Sequence, residues 1–353
     1  MTKKHGRDDD DMKKNDALIW FFVAVAVVVG GVAVLLIDGS GDSGSGLGDE
    51  FTYDVSEYGK TDAELVLYEE LPERFATGMK VCKAIAVLGK KVYVAGDNKI
   101  SVMGGQEIKL NGMPQCLAVG DAGKIYVGVD GHIEIYSDAG KQISVWDSPG
   151  DNAVFTSIAV HKDNVFVADA GRRVVVRYDL EGNVINEIGR KNEKRNITGF
   201  VISSPYFDLA VASDGLLRVT NPGEHRIEAY TFDGDLEFWW GKPSVNIEGF
   251  CGCCNPINFA ILGDGSFVTV EKGLVRVKIY DDYGKFVGVV AGVEALAEGR
   301  AAKVCQFPKD CQRCGFDVAV DSDGKIYILD TVANSVRYFV RKIEPRINTN
   351  KHE

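Results

Sequence analysis

A pattern of four short segments recurs six times along the chain and constrains its fold more than any other sequence feature. Each copy begins with an apolar segment containing Ala and continues through a Gly/Asp turn into three further segments. Because the segments alternate apolar and polar residues between Gly, Asn or Asp, each copy predicts a four-stranded antiparallel sheet. Six such sheets predict an all-β fold, a closed six-bladed β-propeller over residues 64–342. The copies align on six alanines: Ala86, Ala118, Ala159, Ala210, Ala260 and Ala319.

The two ends of the repeat region predict how the ring closes. The last copy ends after three strands, at Lys342. The segment Glu64–Glu69, reading ELVLYE, precedes the first copy and belongs to no other sheet. We expect it to supply the missing outer strand, because closure by the chain ends removes exposed sheet edges. The alternative is that this segment is an unrelated edge strand.

A short motif that recurs after the second strand of several copies relates the chain to a known family. Asp169 is followed by Arg173-Val174-Val175, and Asp330 by Asn334-Ser335-Val336; the copies at Asn221 and Glu271 fit this motif in part. Here the chain resembles the NHL-repeat family. The resemblance implies a six-bladed propeller, but not one function, since propellers of this kind include partner-binding domains, RNA binders, lyases and lactonases.

A transmembrane helix is predicted ahead of the propeller. Leu18–Ile37 is a run of twenty residues without a charge, which is the length that crosses a bilayer. No small-residue cleavage site ends this run, so we expect an uncleaved anchor. Five positive residues precede the span and the next one is Lys60, which predicts a cytoplasmic N-terminus and a periplasmic or extracellular propeller. Residues 1–17 then form a cytoplasmic tail, 38–63 a flexible Gly/Ser/Asp linker and 343–353 a C-terminal tail.

The charge balance bears on the partners. The formal net charge is −11, and no basic stripe is present in the sequence. A nucleic-acid partner is therefore not expected, because such binding depends on clustered Lys and Arg.

The cysteines are the clearest functional indication in the sequence. They fall at or just before the starts of first strands, or in the two long insertions Gly241–Asn255 and Gly292–Gly315. Since those positions lie at one face of a propeller and in consecutive blades, we expect all the thiols to gather on one sector of one rim. The eight are Cys82, Cys116, Cys251, Cys253, Cys254, Cys305, Cys311 and Cys314.

Two chemistries are open for these thiols. In an oxidising compartment, an even number of clustered cysteines is most simply a set of disulfides, with no cofactor. The alternative is an iron–sulfur cluster or another metal. That centre would use six ligands: Cys251, Cys253, Cys254, Cys305, Cys311 and Cys314.

Three acidic residues on the same rim are further candidates. Asp169, Glu271 and Asp330 each end a second strand and could bind a cation such as calcium. The alternative is that they fix turns by accepting backbone N–H groups.

These observations lead to two main hypotheses for function. The first is a non-enzymatic scaffold that binds a protein or ligand on its cysteine-bearing rim outside a membrane. The second is an electron-transfer subunit or enzyme whose metal or iron–sulfur centre uses the same cysteines. A lactonase or lyase would also require a set of carboxylates at the channel mouth.

Overall fold

The computed structural model describes residues 60–120, 122–297 and 315–343. The chain divides into two compact units, Met1–Asp54 and Val55–Glu353, and every described residue belongs to the second. The predicted span Leu18–Ile37 and the cysteines at 305, 311 and 314 lie outside the described ranges. Among the residues that are described, no helix combines the length and apolar character needed to cross a membrane.

Six four-stranded antiparallel sheets form the described domain, which confirms the predicted propeller. In blades one to five, four strands follow one another along the chain from the channel outwards. Blade one contains β2 (Cys82–Leu88), β3 (Lys91–Gly96), β4 (Lys99–Val102) and β5 (Ile108–Lys109). Blade two contains β6 (Pro114–Val119), β7 (Ile125–Val129), β8 (His132–Tyr136) and β9 (Gln142–Trp146). Blade three contains β10 (Phe155–His161), β11 (Asn164–Asp169), β12 (Val174–Tyr178) and β13 (Val184–Ile188).

The remaining blades continue the same arrangement. Blade four contains β14 (Leu209–Val211), β15 (Leu217–Asn221), β16 (Arg226–Tyr230) and β17 (Leu236–Trp240). Blade five contains β18 (Asn258–Ile261), β19 (Phe267–Glu271), β20 (Arg276–Tyr280) and β21 (Phe286–Ala291). Blade six contains β22 (Asp317–Val320), β23 (Ile326–Asp330), β24 (Ser335–Arg341) and the first strand of the described residues, β1 (Tyr68–Ala76). Short helical turns lie at Ala63–Leu65, Glu193–Arg195 and Pro222–Glu224, and a short α-helix at Val293–Ala297.

The ring closes through the two chain ends, as expected, but with a different segment from the predicted one. The strand that pairs with β24 begins at Tyr68, whereas Ala63–Leu65 forms a helical turn capped by the Asp62 side chain. Val66 instead makes a parallel bridge to Val289 of blade five. The expected strand Glu64–Glu69 is therefore wrong in position by several residues. Pro72 is tolerated in β1 because this is an edge strand and its pairing is interrupted between Glu70 and Arg74.

The hydrophobic core lies between neighbouring blades. Trp146 of blade two stacks against Tyr178 of blade three, with ring centroids 5.5 Å apart. Trp240 of blade four similarly packs on Tyr280 of blade five, at 4.9 Å. Its neighbour Trp239 points away from the core and is 52% exposed. Because these side chains are buried between two blades, each blade is stabilised by contact with the next.

Candidate functional site

The first strands of the six blades line a central channel of about 710 Å³. The residue two positions before each repeat alanine forms one ring around it. Besides the thiol of blade two, four members of this ring are polar or ionisable, and none of these four is among the predicted site residues. Going round the blades, the ring consists of Ala84, Cys116, Ser157, Asp208, Asn258 and Asp317. The repeated motif FD-x-AV at 207–211 and 316–320 was the signal that could have revealed its two carboxylates.

Both channel carboxylates join one blade to the next. Asp208 accepts the N–H of Phe259 through Oδ2 at 2.7 Å, linking blades four and five. Asp317 accepts the N–H of Ile85 through Oδ2 at 2.9 Å, linking blades six and one. Their Oδ1 atoms accept the N–H of the next residue in their own strands. Every carboxylate oxygen therefore has a backbone donor.

The ionisation of these two groups is strongly perturbed. Burial raises the pKa of Asp208 to about 6, against hydrogen bonds that favour the anion. Burial and the charge of Asp208 together raise the pKa of Asp317 to about 7. Asp317 lines the channel and is partly accessible. Two carboxylates in one channel thus resist carrying charge at the same time.

Two of the predicted rim acids fix turns. Asp169 Oδ1 accepts the N–H groups of Val154 at 2.9 Å and Arg172 at 3.1 Å. Asp330 Oδ1 accepts the N–H groups of Val332 at 2.9 Å and Ala333 at 2.8 Å. These contacts are those expected of turn-fixing carboxylates.

The third rim acid, Glu271, lies in a fully buried cluster of charges. It accepts two hydrogen bonds from Arg276, at 2.7 and 3.0 Å, and its Oε2 lies 3.0 Å from Lys278 Nζ. Lys278 also donates to the carbonyls of Ile247 at 3.0 Å and Gly249 at 2.5 Å. Burial lowers the pKa of Lys278 to about 8, although Glu271 opposes this. Glu271 is thus occupied by two cations and is not available as a calcium ligand.

The same charge cluster holds the loop that carries three cysteines. Glu271 Oε1 accepts the N–H of Cys251 at 2.7 Å. Asn255, which follows the cysteines, donates to the Cys251 carbonyl at 2.5 Å and is bonded to both backbone groups of Lys272. His225 of blade four contacts the Gly252 carbonyl through Nε2 at 2.7 Å. The loop Cys251–Cys254, hereafter the cysteine loop, is therefore fixed at both ends and in the middle.

Two thiols of the cysteine loop lie side by side. The Sγ atoms of Cys253 and Cys254 are 3.2 Å apart; Cys253 is exposed and Cys254 is buried. Burial and the adjacent Cys254 raise the pKa of Cys253. Burial acts in the same direction on Cys254, but hydrogen bonds with Cys253 and Ser204 and the charge of Lys272 leave its pKa below the ordinary value. Cys254 is therefore the thiol of this pair that ionises more readily.

Two of the predicted rim cysteines, Cys82 and Cys116, lie in the cores between blades. Cys82 belongs to the core between blades six and one, where its sulfur contacts Thr77 Oγ1 at 3.3 Å. Cys116 belongs to the core between blades two and three, and burial raises its pKa to about 12. Neither sulfur is bonded to the cysteine loop within the described ranges. Both side chains are buried, at 3% and 2% exposure.

Neither predicted chemistry of the cysteines is found in the described part of the chain. Its five cysteines are all free thiols. No group of three or more His, Cys, Asp or Glu side chains there is arranged to hold a metal. Three of the six proposed ligands, Cys305, Cys311 and Cys314, lie outside the described residues.

Comparison with known proteins supports the fold alone. No family model matches the chain, and no curated protein matches it. A Bacteroides thetaiotaomicron protein of unknown function is similar in structure, with a TM-score of 0.54, 14% identity and coverage of 78% of this chain and 72% of that one. Virginiamycin B lyase from Staphylococcus aureus gives 0.53 at 12% identity, covering 78% and 100%. A gluconolactonase from Xanthomonas campestris gives 0.53 at 14% identity, covering 80% and 94%.

Proposed function

We propose that the protein is a membrane-anchored, extracytoplasmic scaffold that binds a protein or ligand partner on the rim that carries the cysteine loop. The observation that supports this most directly is the rigid display of that loop. Buried charges of blade five hold its backbone, while Cys253 remains exposed. Loops fixed on a rigid scaffold are the usual binding surfaces of such folds. The anchor is the apolar segment Leu18–Ile37.

An enzymatic function of the lyase or lactonase kind has less support. Similarity at 12–14% identity carries the fold and not the activity. Both channel carboxylates are engaged by backbone N–H groups, which leaves them structural partners in the described domain. A metal or iron–sulfur centre remains the alternative use of the cysteines, favoured by the closeness of the Cys253 and Cys254 sulfurs. Metal analysis and visible absorption of the purified protein would separate it from a metal-free scaffold.

The proposed orientation and binding face can be tested together in intact cells. A membrane-impermeant maleimide should label Cys253 of the full chain without lysis. A cysteine placed in the N-terminal tail by Thr2→Cys, in a Cys253→Ser background, should react only after permeabilisation. Labelling of Cys253 that requires lysis would contradict the orientation.

The binding face is tested with a photocrosslinker attached to the same thiol. We expect Cys253 to give a crosslinked product of defined mass. The matched control is Asp163→Cys in the Cys253→Ser background, since the turn between β10 and β11 is exposed on the opposite face. Equal products from both positions would exclude the cysteine-bearing rim as the binding surface.

A further inference from the structure

We propose that Cys253 and Cys254 are a thiol–disulfide exchange site that converts reversibly between two thiols and a disulfide of adjacent residues. The proposal goes beyond the scaffold function, because it requires neither the membrane segment nor a partner on the rim. Its substrates are disulfides, either of small molecules or of proteins. The geometry of the cysteine loop and one buried lysine support this exchange.

The two sulfurs are placed for direct reaction with each other. They are 3.2 Å apart, so forming a bond of about 2.05 Å requires a movement of only about 1.2 Å. Cys253 is exposed and can meet an incoming disulfide, whereas Cys254 is only 2% exposed. The Cys253 sulfur is thus placed to react with the incoming disulfide, and the Cys254 sulfur is placed to close the disulfide with Cys253.

Lys272 provides a buried positive charge next to the inner sulfur. Its side chain is 3% exposed, donates to Ser204 Oγ at 2.7 Å and lies 4.7 Å from the centre of the Tyr206 ring. The neighbouring carboxylate of Glu271 faces other cations. Within the described residues, no carboxylate forms an ion pair with Lys272.

A buried ammonium needs a counter-ion, and the nearby sulfur can supply one. The Lys272 and Ser204 side chains both lower the pKa of Cys254. A charge held in the interior is stable when paired and hydrogen-bonded. Lys272 therefore favours the thiolate of Cys254, which is the attacking form of a cysteine.

The disulfide that this pair can form is a reducible one. Adjacent Cα atoms are about 3.8 Å apart. Unstrained disulfides join Cα atoms about 4.4–6.8 Å apart. Strained, accessible disulfides have more oxidising potentials and act as labile or regulatory bonds. The pair is accordingly suited to reversible exchange and unsuited to permanent cross-linking.

The exchange balances without a cofactor. The Cys253 proton passes to the Cys254 sulfur, and the Cys253 thiolate attacks a disulfide R–S–S–R, forming Cys253–S–S–R and releasing the first RS⁻. The Cys254 proton then goes to that RS⁻, giving RSH. The Cys254 thiolate, stabilised by Lys272, attacks the Cys253 sulfur and expels the second thiolate, which takes a proton from water. The two cysteines are oxidised and the incoming disulfide is reduced to two thiols.

Oxidised glutathione is the probe for this reaction. The reduced full chain in detergent is mixed with it, alkylated at intervals and mapped by tandem mass spectrometry. We expect a transient glutathione adduct on Cys253, followed by a disulfide between Cys253 and Cys254. Cys254→Ser should stop at a stable adduct on Cys253. Cys251→Ser, in the same loop, is the matched control and should leave both steps unchanged.

The lysine is tested through the rate of the second step. Lys272→Met should slow closure of the disulfide about tenfold, as loss of about one pKa unit of thiolate stabilisation implies, and Lys272→Arg should restore it. Recovery of Cys253 or Cys254 bonded to Cys305, Cys311 or Cys314 would overturn the proposal. So would a Cys254→Ser protein without the accumulated adduct. Neither result bears on the orientation or the binding face, which are measured separately.

Discussion

Asp208 and Asp317 each hold the first strand of their own blade and also connect that blade to the next one. Each accepts backbone N–H groups from its own blade and from the following one, so each fastens two blades together. The same burial that makes these bonds strong also makes the negative charge costly. The stability of the ring should therefore depend on pH.

The direction of that dependence follows from the raised pKa values. The folded state keeps protons on Asp208 up to about pH 6 and on Asp317 up to about pH 7, whereas the unfolded chain loses them near 3.8. This contribution to stability is complete below about pH 4 and is lost as the pH rises through 6 and 7. We expect Asp317→Asn to reduce the slope of the urea-unfolding midpoint against pH between pH 4 and pH 8. Asp323→Asn, at an exposed position of the same blade, should keep the wild-type slope. An unchanged slope in Asp317→Asn would contradict this assignment.

Sequence reasoning located the strands of these residues but not the role of the side chains. The repeat pattern located the six first strands. It did not show that Asp208 and Asp317 would receive N–H groups from blades 51 and 232 residues away in sequence. For Cys116, the pattern gave the strand position, while the missing side chain of Gly128 opposite determines where the sulfur fits.

At the scale of the element, the loop between β17 and β18 depends on blade five for its shape. Arg276, Lys278 and Glu271 are essentially fully buried, and their hydrogen bonds end on backbone groups of that loop. The sequence showed a long insertion with three cysteines. It could not show this anchoring, because nothing in the spacing of Glu271, Arg276 and Lys278 distinguishes a buried charge cluster from a solvated strand face.

The buried charge cluster predicts that replacing Glu271 by the isosteric Gln lowers the stability of the protein strongly. Glu271→Gln would leave two buried cations without their carboxylate. We expect it to lower the free energy of unfolding by about 3–5 kcal/mol, measured by urea denaturation. Glu237→Gln on the exposed face of β17 is the matched control and should change it by less than about 0.5 kcal/mol. A Glu271→Gln protein as stable as the control would show that the cluster does not hold the loop.

For the whole molecule, closure of the ring is the feature on which all six blades depend. The buried Arg337 of β24 donates to both oxygens of Glu70 in β1, at 2.9 and 2.5 Å. It also donates to the Ala295 carbonyl at 2.9 Å. The sequence predicted closure by the chain ends but placed the strand too early, because ELVLYE is the more apolar segment and the register is set by pairing with residues 259 to 273 positions away.

The ion pair at the closure should contribute measurably to global stability. We expect Glu70→Gln to lower the free energy of unfolding by about 1.5–3 kcal/mol, because a charged hydrogen-bond acceptor is replaced by a neutral one. The reference is Glu73→Gln, at an exposed position of the same strand. The test compares the urea-unfolding midpoints of the Glu70→Gln and Glu73→Gln variants. Equal midpoints would show that the Glu70 ion pair does not stabilise the ring closure.

The order in which a ribosome delivers the strands gives this closure a temporal consequence. β1 is synthesised before every other strand of the propeller, yet its partner β24 emerges after all of them. Throughout translation the nascent chain therefore carries an unsatisfied strand at its beginning, and two copies made close together could exchange these strands between them. Strand exchange between copies during biosynthesis is therefore a route to misassembly that this topology permits.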